Sequence, residues 1–150
     1  DAGHARIGIH NTGGIRAEIR KGSITWGNVF EVLPFQNTVV TMKLSGSQLK
    51  SALNRNLVAV SGLRVHWDLE RPSGQRLVGV TLSDRTPIEN ATLYSVATND
   101  FVVAGGDGFT EFGQGTDIHD TGILLREAVV TYLRAHAPLD PTLDGRIRVN

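Results

Sequence analysis

Hydrophobic and polar residues repeat along this chain either with period two or at helical spacing, in short separate stretches. Period-two alternation and β-branched runs indicate strands, and they predict strands at residues 5–10, 37–44, 63–68, 77–82, 93–98 and 145–149. Apolar residues three and four apart, behind the capping residues Thr25 and Ser45, indicate helices. This spacing predicts helices over residues 26–33, 45–53 and 123–135.

The order of these elements predicts the fold class. Residues 63–68 and 77–82 alternate on either side of a turn at 71–74, which is the clearest hairpin signal in the chain. Residues 101–115 hold five glycines and three phenylalanines, too apolar for a linker and too flexible for a helix, so we interpret them as a structured loop. Strands and helices do not alternate regularly, which favours one α+β domain with a largely antiparallel or mixed sheet.

Composition and charge exclude several classes of function. The chain has 150 residues and no cysteine, so disulfides, Cys-ligated zinc, iron–sulfur clusters and thiol nucleophiles are excluded. Its 15 basic and 15 acidic side chains give a formal net charge of zero, which argues against a nucleic-acid polymer or an anionic membrane as partner. No segment stays apolar over the ~20 residues of a membrane helix, and the first residues lack the pattern of a signal peptide. Because the chain begins with Asp1 rather than Met, we expect a fragment or a processed product.

Metal and phosphate motifs are weak in this sequence. The five histidines fall singly, without the spacing of a ligand pair. The segment 117–120, Asp-Ile-His-Asp, has the chemistry to chelate a cation, but a polar loop between Gly115 and Gly122 explains it equally well. The glycines of residues 104–109 lack the spacing of a dinucleotide-binding or phosphate-binding loop. We therefore expect no metal ligands and no catalytic residues in this chain.

Three loops combine backbone freedom with polar or aromatic side chains. The first loop comprises residues 11–16, the second loop residues 33–37 and the third loop residues 99–109. Taken singly, each is more typical of a turn than of a site, with Gly for positive φ, Asn for self-capping and Phe as a core plug.

The loops belong to a longer series of motifs. The series reads N-x-G-G-I-R at 11–16, G-x-I-T-W at 22–26, V-L-P-F-x-N at 32–37, L-S-G-x-x-L at 44–49, S-G-L-R-V at 61–65 and N-D-F-x-x-x-G-G-D-G-F at 99–109. In this order, the motifs closely resemble the C-terminal domain of the 5′-nucleotidase family, whose members hydrolyse nucleotides. The resemblance covers nearly the whole chain. It implies the family's layered α/β/β/α arrangement, with helices covering two packed, mixed sheets.

The resemblance also implies a set of substrate-binding residues. Phe35 and Phe101 match the two rings that sandwich the nucleobase, and stacking on a base contributes about 1–3 kcal/mol per ring. Asn11, Arg16 and Asp107 match residues that hold the ribose and neighbouring polar groups.

Further positions of the loops follow from the same resemblance. Asn37 matches a position that approaches the base in bacterial relatives, and Gln36 departs from the Gly that many relatives have. The loop glycines are expected to let the backbone approach the ligand closely. These glycines are Gly13 and Gly14 in the first loop and Gly105, Gly106 and Gly108 in the third. Further arginines of the family lie upstream of this chain.

The hydrolysis itself is expected to take place in another domain. The resemblance implies a separate N-terminal metallophosphatase domain, whose two divalent metal ions supply the activated water. We therefore interpret residues 1–150 as the substrate-recognition domain, which grips a nucleotide or nucleoside, holds no cofactor and is inactive alone. The family resemblance further implies a periplasmic, secreted or cell-surface location.

Two other functions stay open at this point. One is a non-catalytic binding or adhesion module that kept the fold and lost nucleotide affinity. The other is a stand-alone hydrolase with an unrecognised site, such as one that uses Asp107 and His119. The joint presence of Phe35, Phe101 and Asp107 argues against the first, and the lack of an apparent nucleophile–base pair argues against the second.

Overall fold

A computed structural model describes residues 4–150 and places them in two β-sheets with four α-helices. The strands are β1 (Ile7–Asn11), β2 (Thr38–Ser45), β3 (Val58–Ser61), β4 (Leu63–Trp67), β5 (Leu77–Leu82), β6 (Leu93–Asn99), β7 (Thr116–Leu124) and β8 (Ile147–Val149). The helices are α1 (Trp26–Val32), α2 (Gly46–Arg55), α3 (Asp100–Val103) and α4 (Leu125–His136). Single 3₁₀ turns lie at Thr12–Gly14, Gly106–Gly108 and Phe112–Gln114. The predicted α+β class with mixed sheets is confirmed.

The large sheet brings the three loops to one edge. Its strand order is β3-β1-β6-β2-β7. β1 runs parallel to β6, with Ile7 opposite Val96, whereas β2 runs antiparallel to β6, with Val39 opposite Asn99. β1 and β6 therefore end at the edge where β2 begins. The first, second and third loops all lie at this edge, which we call the loop edge.

The small sheet, in the order β5-β4-β8, contributes to the same core. β4 and β5 form the predicted antiparallel hairpin, and β8 adds in parallel to β4. Trp67 of β4 is 1% exposed, and its indole Nε1 donates a hydrogen bond to the carbonyl oxygen of Leu53 at 2.7 Å. Helix α2 thus packs its apolar face, with Leu49, Ala52 and Leu53, into the core.

Helices α1 and α2 begin where their capping residues predict. The Thr25 hydroxyl accepts the N–H of Asn28 at 3.2 Å, and the Asn28 side chain accepts the N–H of Thr25 at 2.9 Å. Ser45 and Gln48 repeat this reciprocal pattern before α2. Each capping box pairs two backbone donors with side-chain acceptors, so local sequence is sufficient to define both helix starts.

Residues 117–120 form part of a strand, and the predicted polar loop is wrong. They belong to β7, an edge strand that pairs with β2. An edge strand is solvated along one side, so it does not need the apolar alternation that signals a buried strand. Lys43 of β2 reaches across to the Asp117 carboxylate at 2.7 Å. β7 continues to Leu124, so α4 begins at Leu125, two residues after the predicted start.

Two further elements were not predicted. β3 has only four residues, too few for a pattern to stand out, yet it pairs with β1 along its whole length. The glycine-rich segment 101–115 contains most of helix α3 and two 3₁₀ turns. Asn99 caps α3 by accepting the N–H of Val102 at 2.9 Å. The interpretation of this segment as non-helical is therefore wrong in its first turn.

The helices are short. The longest, α4, has 12 residues, about 18 Å of rise, whereas a hydrocarbon core is about 30 Å thick. Within residues 4–150, no helix combines the length and the apolarity that crossing a membrane requires.

A buried carboxylate fastens the segment that follows the third loop to α2. Glu111 accepts hydrogen bonds from Ser51 Oγ at 2.8 Å, from Arg55 Nη2 at 2.7 Å and from the backbone N–H of Thr110 at 3.0 Å. Burial by itself raises the pKa of Glu111, but these hydrogen bonds outweigh burial and lower the pKa to about 2. The carboxylate is therefore ionised at neutral pH.

Candidate functional site

The first and third loops are joined by a chain of hydrogen bonds. Asn99, at the end of β6, donates from Nδ2 to Asn11 Oδ1 at 3.0 Å. Asn11, at the end of the adjacent β1, donates from Nδ2 to Asp107 Oδ2 at 2.7 Å. Asn11 and Asn99 are buried, so these bonds form away from bulk water, where they are electrostatically stronger. The carboxylate of Asp107 is thereby held at the loop edge.

A histidine lies behind this chain. Asn99 Nδ2 also donates to His10 Nδ1 at 3.0 Å. Burial of the His10 ring lowers its pKa, although a hydrogen bond with the backbone of Gly14 acts in the opposite direction. A neutral ring leaves Nδ1 free to accept the hydrogen bond. Gly14 packs on the same ring, because a Cβ there would lie 2.7 Å from Nε2.

The second and third loops share one carboxylate oxygen. Asp100 Oδ1 accepts hydrogen bonds from Asn37 Nδ2 at 2.8 Å, from the N–H of Thr38 at 3.2 Å and from the N–H of Phe101 at 2.9 Å. Charge-assisted hydrogen bonds of this kind are stronger than those between neutral groups. The two loops are therefore fixed relative to each other, and Asn37 turns its amide nitrogen toward protein.

The structure separates the aromatic residues of the loops into two kinds. Phe35 is 50% exposed and Phe101 is 45% exposed, although each lies on a loop that is fixed by hydrogen bonds. Phe109 and Phe112 are fully buried and pack edge to face at 5.5 Å. The core-plug interpretation of the loop phenylalanines thus applies to Phe109, and it does not apply to Phe35 or Phe101.

The backbone of the third loop adopts a run of left-handed conformations. The φ angles of Gly105, Asp107 and Gly108 are 93°, 54° and 77°. Glycine adopts this region without steric cost, and Asp is among the few other residues that tolerate it. Asn56 donates from Nδ2 to the carbonyl oxygen of Asp107 at 2.7 Å, which supports this turn.

Gly106 packs directly against the ring of Phe101. A Cβ at position 106 would lie 2.4 Å from Cε1 of that ring and 2.5 Å from Cδ1 and Cζ. Atoms of real side chains do not approach so closely. The orientation of the Phe101 ring therefore depends on the absence of a side chain at position 106.

Arg16 brings a positive charge to the first loop. Its side chain is exposed, and its Nη1 donates to the carbonyl oxygen of Gly13 at 3.4 Å. The backbone N–H of Arg16 donates to the carbonyl oxygen of Val32 at 2.8 Å, which ties the first loop to α1. Among residues 4–150, no carboxylate lies within 4 Å of this guanidinium. Its other donors remain free for an anion or a polarised oxygen.

A cleft of about 490 Å³ adjoins Asp107. Its walls come from the first loop, from the end of α2 and from the buried rings Trp67 and Phe109. Two polar residues of the candidate site, Asn11 and Asp107, line it on one side. Neither of the exposed rings, Phe35 and Phe101, lines this cleft, and Arg16 does not line it either.

The structure adds two residues to the set that sequence reasoning singled out. Asn99 and Asp100 lie inside the third-loop motif, but neither was given a role. The signal was an Asx residue before a short apolar run, which is typical of a helix cap. Their roles as connectors of the loops depend on partners in β1 and in the second loop, which no local pattern reveals.

Comparison with known proteins identifies the family of this domain. A sequence model described as "5′-nucleotidase, C-terminal domain" matches residues 1–114. The trifunctional nucleotide phosphoesterase protein YfkN of Bacillus subtilis (strain 168) is 36% identical over 99% of this chain. The 5′-nucleotidase of Homo sapiens is 32% identical over 97% of it.

A solved structure shows the same relationship. The 5′-nucleotidase precursor from Thermus thermophilus matches 97% of this chain with a TM-score of 0.92 and 40% identity. This chain spans 31% of that protein, 29% of the human protein and 11% of the Bacillus protein. The similarity thus concerns one domain within larger proteins. The chain belongs to the family of 5′-nucleotidase C-terminal domains.

Proposed function

We propose that this domain binds the nucleoside part of a nucleotide and presents the phosphate ester to a separate metallophosphatase domain for hydrolysis. The observation that carries the proposal is the pair of exposed rings, Phe35 and Phe101, on loops tied together by the Asp100 carboxylate. Exposed aromatic rings on fixed loops are typical of surfaces that bind a planar ligand. Membership of a family that includes 5′-nucleotidases supports the same function.

The base is the part of the ligand that the rings recognise. Stacking contributes about 1–3 kcal/mol per base and tolerates different bases, because every base has a π-face. Asn37 donates its amide N–H to Asp100, which leaves its carbonyl oxygen as an acceptor for an amino group of the base. Gln36 is exposed next to it and is free to contact the same edge of the base.

The polar residues Asp107 and Arg16 are assigned to the sugar and the phosphate. Oδ2 of Asp107 accepts a hydrogen bond from Asn11, whereas Oδ1 accepts none from residues 4–150. Oδ1 is therefore available to a ribose hydroxyl, and a hydroxyl–carboxylate bond is charge-assisted. Arg16 is available to the phosphate or to a polarised oxygen near it.

Titration of the chain with adenosine and with AMP tests this proposal. We expect weak binding of both, with a Kd of about 0.1–1 mM, because the entropic cost of association offsets much of the stacking energy. The two affinities should differ little, because an exposed ion pair of Arg16 with the phosphate contributes at most about 1 kcal/mol. Phe101→Ala should weaken binding at least about fivefold, the low end of what one stacked ring contributes. Amide chemical shifts measure both effects. Tyr132→Ala, an exposed aromatic on α4, is the matched control and should bind like the unmodified chain.

Two results would count against the arrangement. Binding that is unchanged by Phe35→Ala and by Phe101→Ala would show that these two rings do not hold the base between them, an arrangement that we call the aromatic clamp. AMP that binds far more tightly than adenosine would reveal a phosphate site in this domain beyond Arg16.

The proposal assigns the two divalent metal ions to a separate N-terminal domain. Within residues 4–150, no group of three or more metal-ligating side chains is arranged to hold an ion. The titratable side chains at the loop edge, Asp100, Asp107 and His10, do not form such a group. These residues do not fit a dimetal centre, so no step of the hydrolysis is assigned to them.

We expect this chain alone to release no phosphate from AMP in the presence of Mg²⁺, Mn²⁺ or Zn²⁺. Clustered ligands are needed to hold a metal ion that lowers the pKa of a bound water. The measurement is phosphate release over hours, with the Asp107→Asn chain prepared in parallel as the control for contaminating phosphatase. Release that depends on the metal and falls with Asp107→Asn would contradict this expectation.

The two other functions predict different results. A binding or adhesion module without nucleotide affinity would show no shift with adenosine or AMP. A hydrolase that uses Asp107 and His119 would need the two side chains in contact. His119 lies on β7 opposite Thr41, whereas Asp107 bonds to β1, about 14 Å away at three strand spacings.

From the family resemblance, we also propose a periplasmic, secreted or cell-surface location.

A further inference from the structure

The first turn of α4 contains a buried cation that the proposed site does not use. Arg126 is 7% exposed, and no carboxylate of residues 4–150 lies within 4 Å of its guanidinium. Burying a charge away from water is costly unless other groups replace the lost hydration. The partners that do so here are backbone carbonyls and aromatic rings.

The guanidinium joins α1 to the second loop. Nη1 donates to the carbonyl oxygen of Leu33 at 3.0 Å and lies 3.4 Å from that of Phe35. Cζ lies 4.8 Å from the centroid of the Phe30 ring and 5.4 Å from that of the Trp26 ring. A planar cation with several donors can stack on rings and donate to two carbonyls at once, which an ammonium group cannot reproduce.

The second loop is held at both ends, but the ring of Phe35 is not. The N–H of Leu125 donates to the carbonyl oxygen of Asn37 at 2.8 Å, and Asp100 holds the side chain of Asn37. Phe35 itself is half exposed and lacks close packing on much of its surface. The direction of its ring therefore follows from the backbone on either side, and Arg126 binds the carbonyls of that backbone.

We infer that Arg126 is a positioning residue that directs the Phe35 ring toward the base. It acts through the carbonyl oxygens of Leu33 and Phe35 and does not contact the ligand. The inference rests on the proposed nucleoside binding. It makes the geometry of the aromatic clamp depend on Arg126, which lies outside the three loops.

A double-mutant cycle between Arg126 and Phe35 tests the inference, with AMP as the ligand and amide shifts as the readout. Arg126→Lys should weaken AMP binding about three- to tenfold, within the range of couplings between contacting residues. In the Phe35→Ala chain, the same change should have no further effect, because the ring that Arg126 positions is already gone. A merely structural role would weaken binding equally in both backgrounds. Arg134→Lys, at an exposed position of α4, is the matched control and should leave affinity unchanged.

Each outcome of the cycle decides the question. An equal loss in both backgrounds, or no loss in either, overturns the inference. If the Arg126→Lys chain does not fold, Trp26→Ala takes its place, since it removes one ring that supports the guanidinium, and the same pattern is expected. An unmodified chain that binds no AMP contradicts the proposed function, and the inference with it, before any substitution is compared.

Discussion

Gly106→Ala should remove most of the nucleoside affinity of this domain while leaving the fold intact. The new methyl group would lie 2.4–2.5 Å from three carbons of the Phe101 ring, so the ring must swing away from its present position. Phe101 is 45% exposed, and it can move into solvent without disturbing the core. We expect AMP binding to weaken about 5- to 150-fold, the equivalent of one lost base–aromatic stack. Amide chemical shifts measure the affinity, and thermal unfolding checks the fold.

The control for this substitution is Gly79→Ala, because a Cβ at position 79 meets no atom within 4 Å. That chain should bind AMP like the unmodified one. In a Phe101→Ala chain, Gly106→Ala should cause no further loss, since the ring that it displaces is absent. A folded Gly106→Ala chain with undiminished affinity would show that the position of Phe101 is irrelevant to binding.

The second large effect concerns stability at acid pH. The pKa of Glu111 is about 2 in the folded chain, against 4.5 for the free side chain. Because the pKa of Glu111 is lower in the folded state than in the unfolded state, its ionised carboxylate stabilises the fold. This stabilisation is complete above the unfolded-state pKa and is lost as pH falls from about 4.5 toward 2. The shift corresponds to about 3 kcal/mol of unfolding free energy. Below this window the segment that follows the third loop loses its ionic attachment to α2.

Glu111→Gln isolates this contribution from other carboxylates that titrate in the same range. We expect the variant to be less stable by about 2–3 kcal/mol at pH 7, because charge-assisted bonds to Arg55 and Ser51 are lost. Its stability should also change less between pH 5 and pH 2.5. Urea unfolding, followed by the fluorescence of the buried Trp67, measures both quantities. Glu127→Gln, at an exposed position of α4, is the control, and identical pH profiles for Glu111→Gln and the unmodified chain would refute the assignment.

Sequence reasoning was most successful where structure depends on neighbours in the chain. The starts of α1 and α2 follow from capping boxes that span four residues, Thr25 to Asn28 and Ser45 to Gln48. The hairpin of β4 and β5 follows from two alternating stretches around a short connection. In these elements, the groups that pair are close enough in sequence for their spacing to be recognised.

The same reasoning was wrong where an element depends on distant partners. β7 carries a polar pattern because only one of its edges is paired, and its identity as a strand comes from β2. α3 begins at Asp100, directly after its cap Asn99, and runs into a glycine-rich segment where composition argued against any helix. The burial of Arg126 likewise depends on carbonyl oxygens of the second loop and on two rings of α1, which no local pattern in α4 reveals.

The sequence by itself determined the α+β class, the motif series and the residue types of the candidate site. Only the tertiary structure decided which of these residues meet, because their partners lie far apart in the chain. Asn11 and Asp107 are 96 residues apart and form a hydrogen bond because the parallel pairing of β1 and β6 brings both strand ends to one edge. Packing likewise decided that Phe101 is exposed and Phe109 is buried, although both lie in the same glycine-rich loop. Local spacing specifies bonds between neighbours, whereas exposure and long-range pairing are properties of the assembled core.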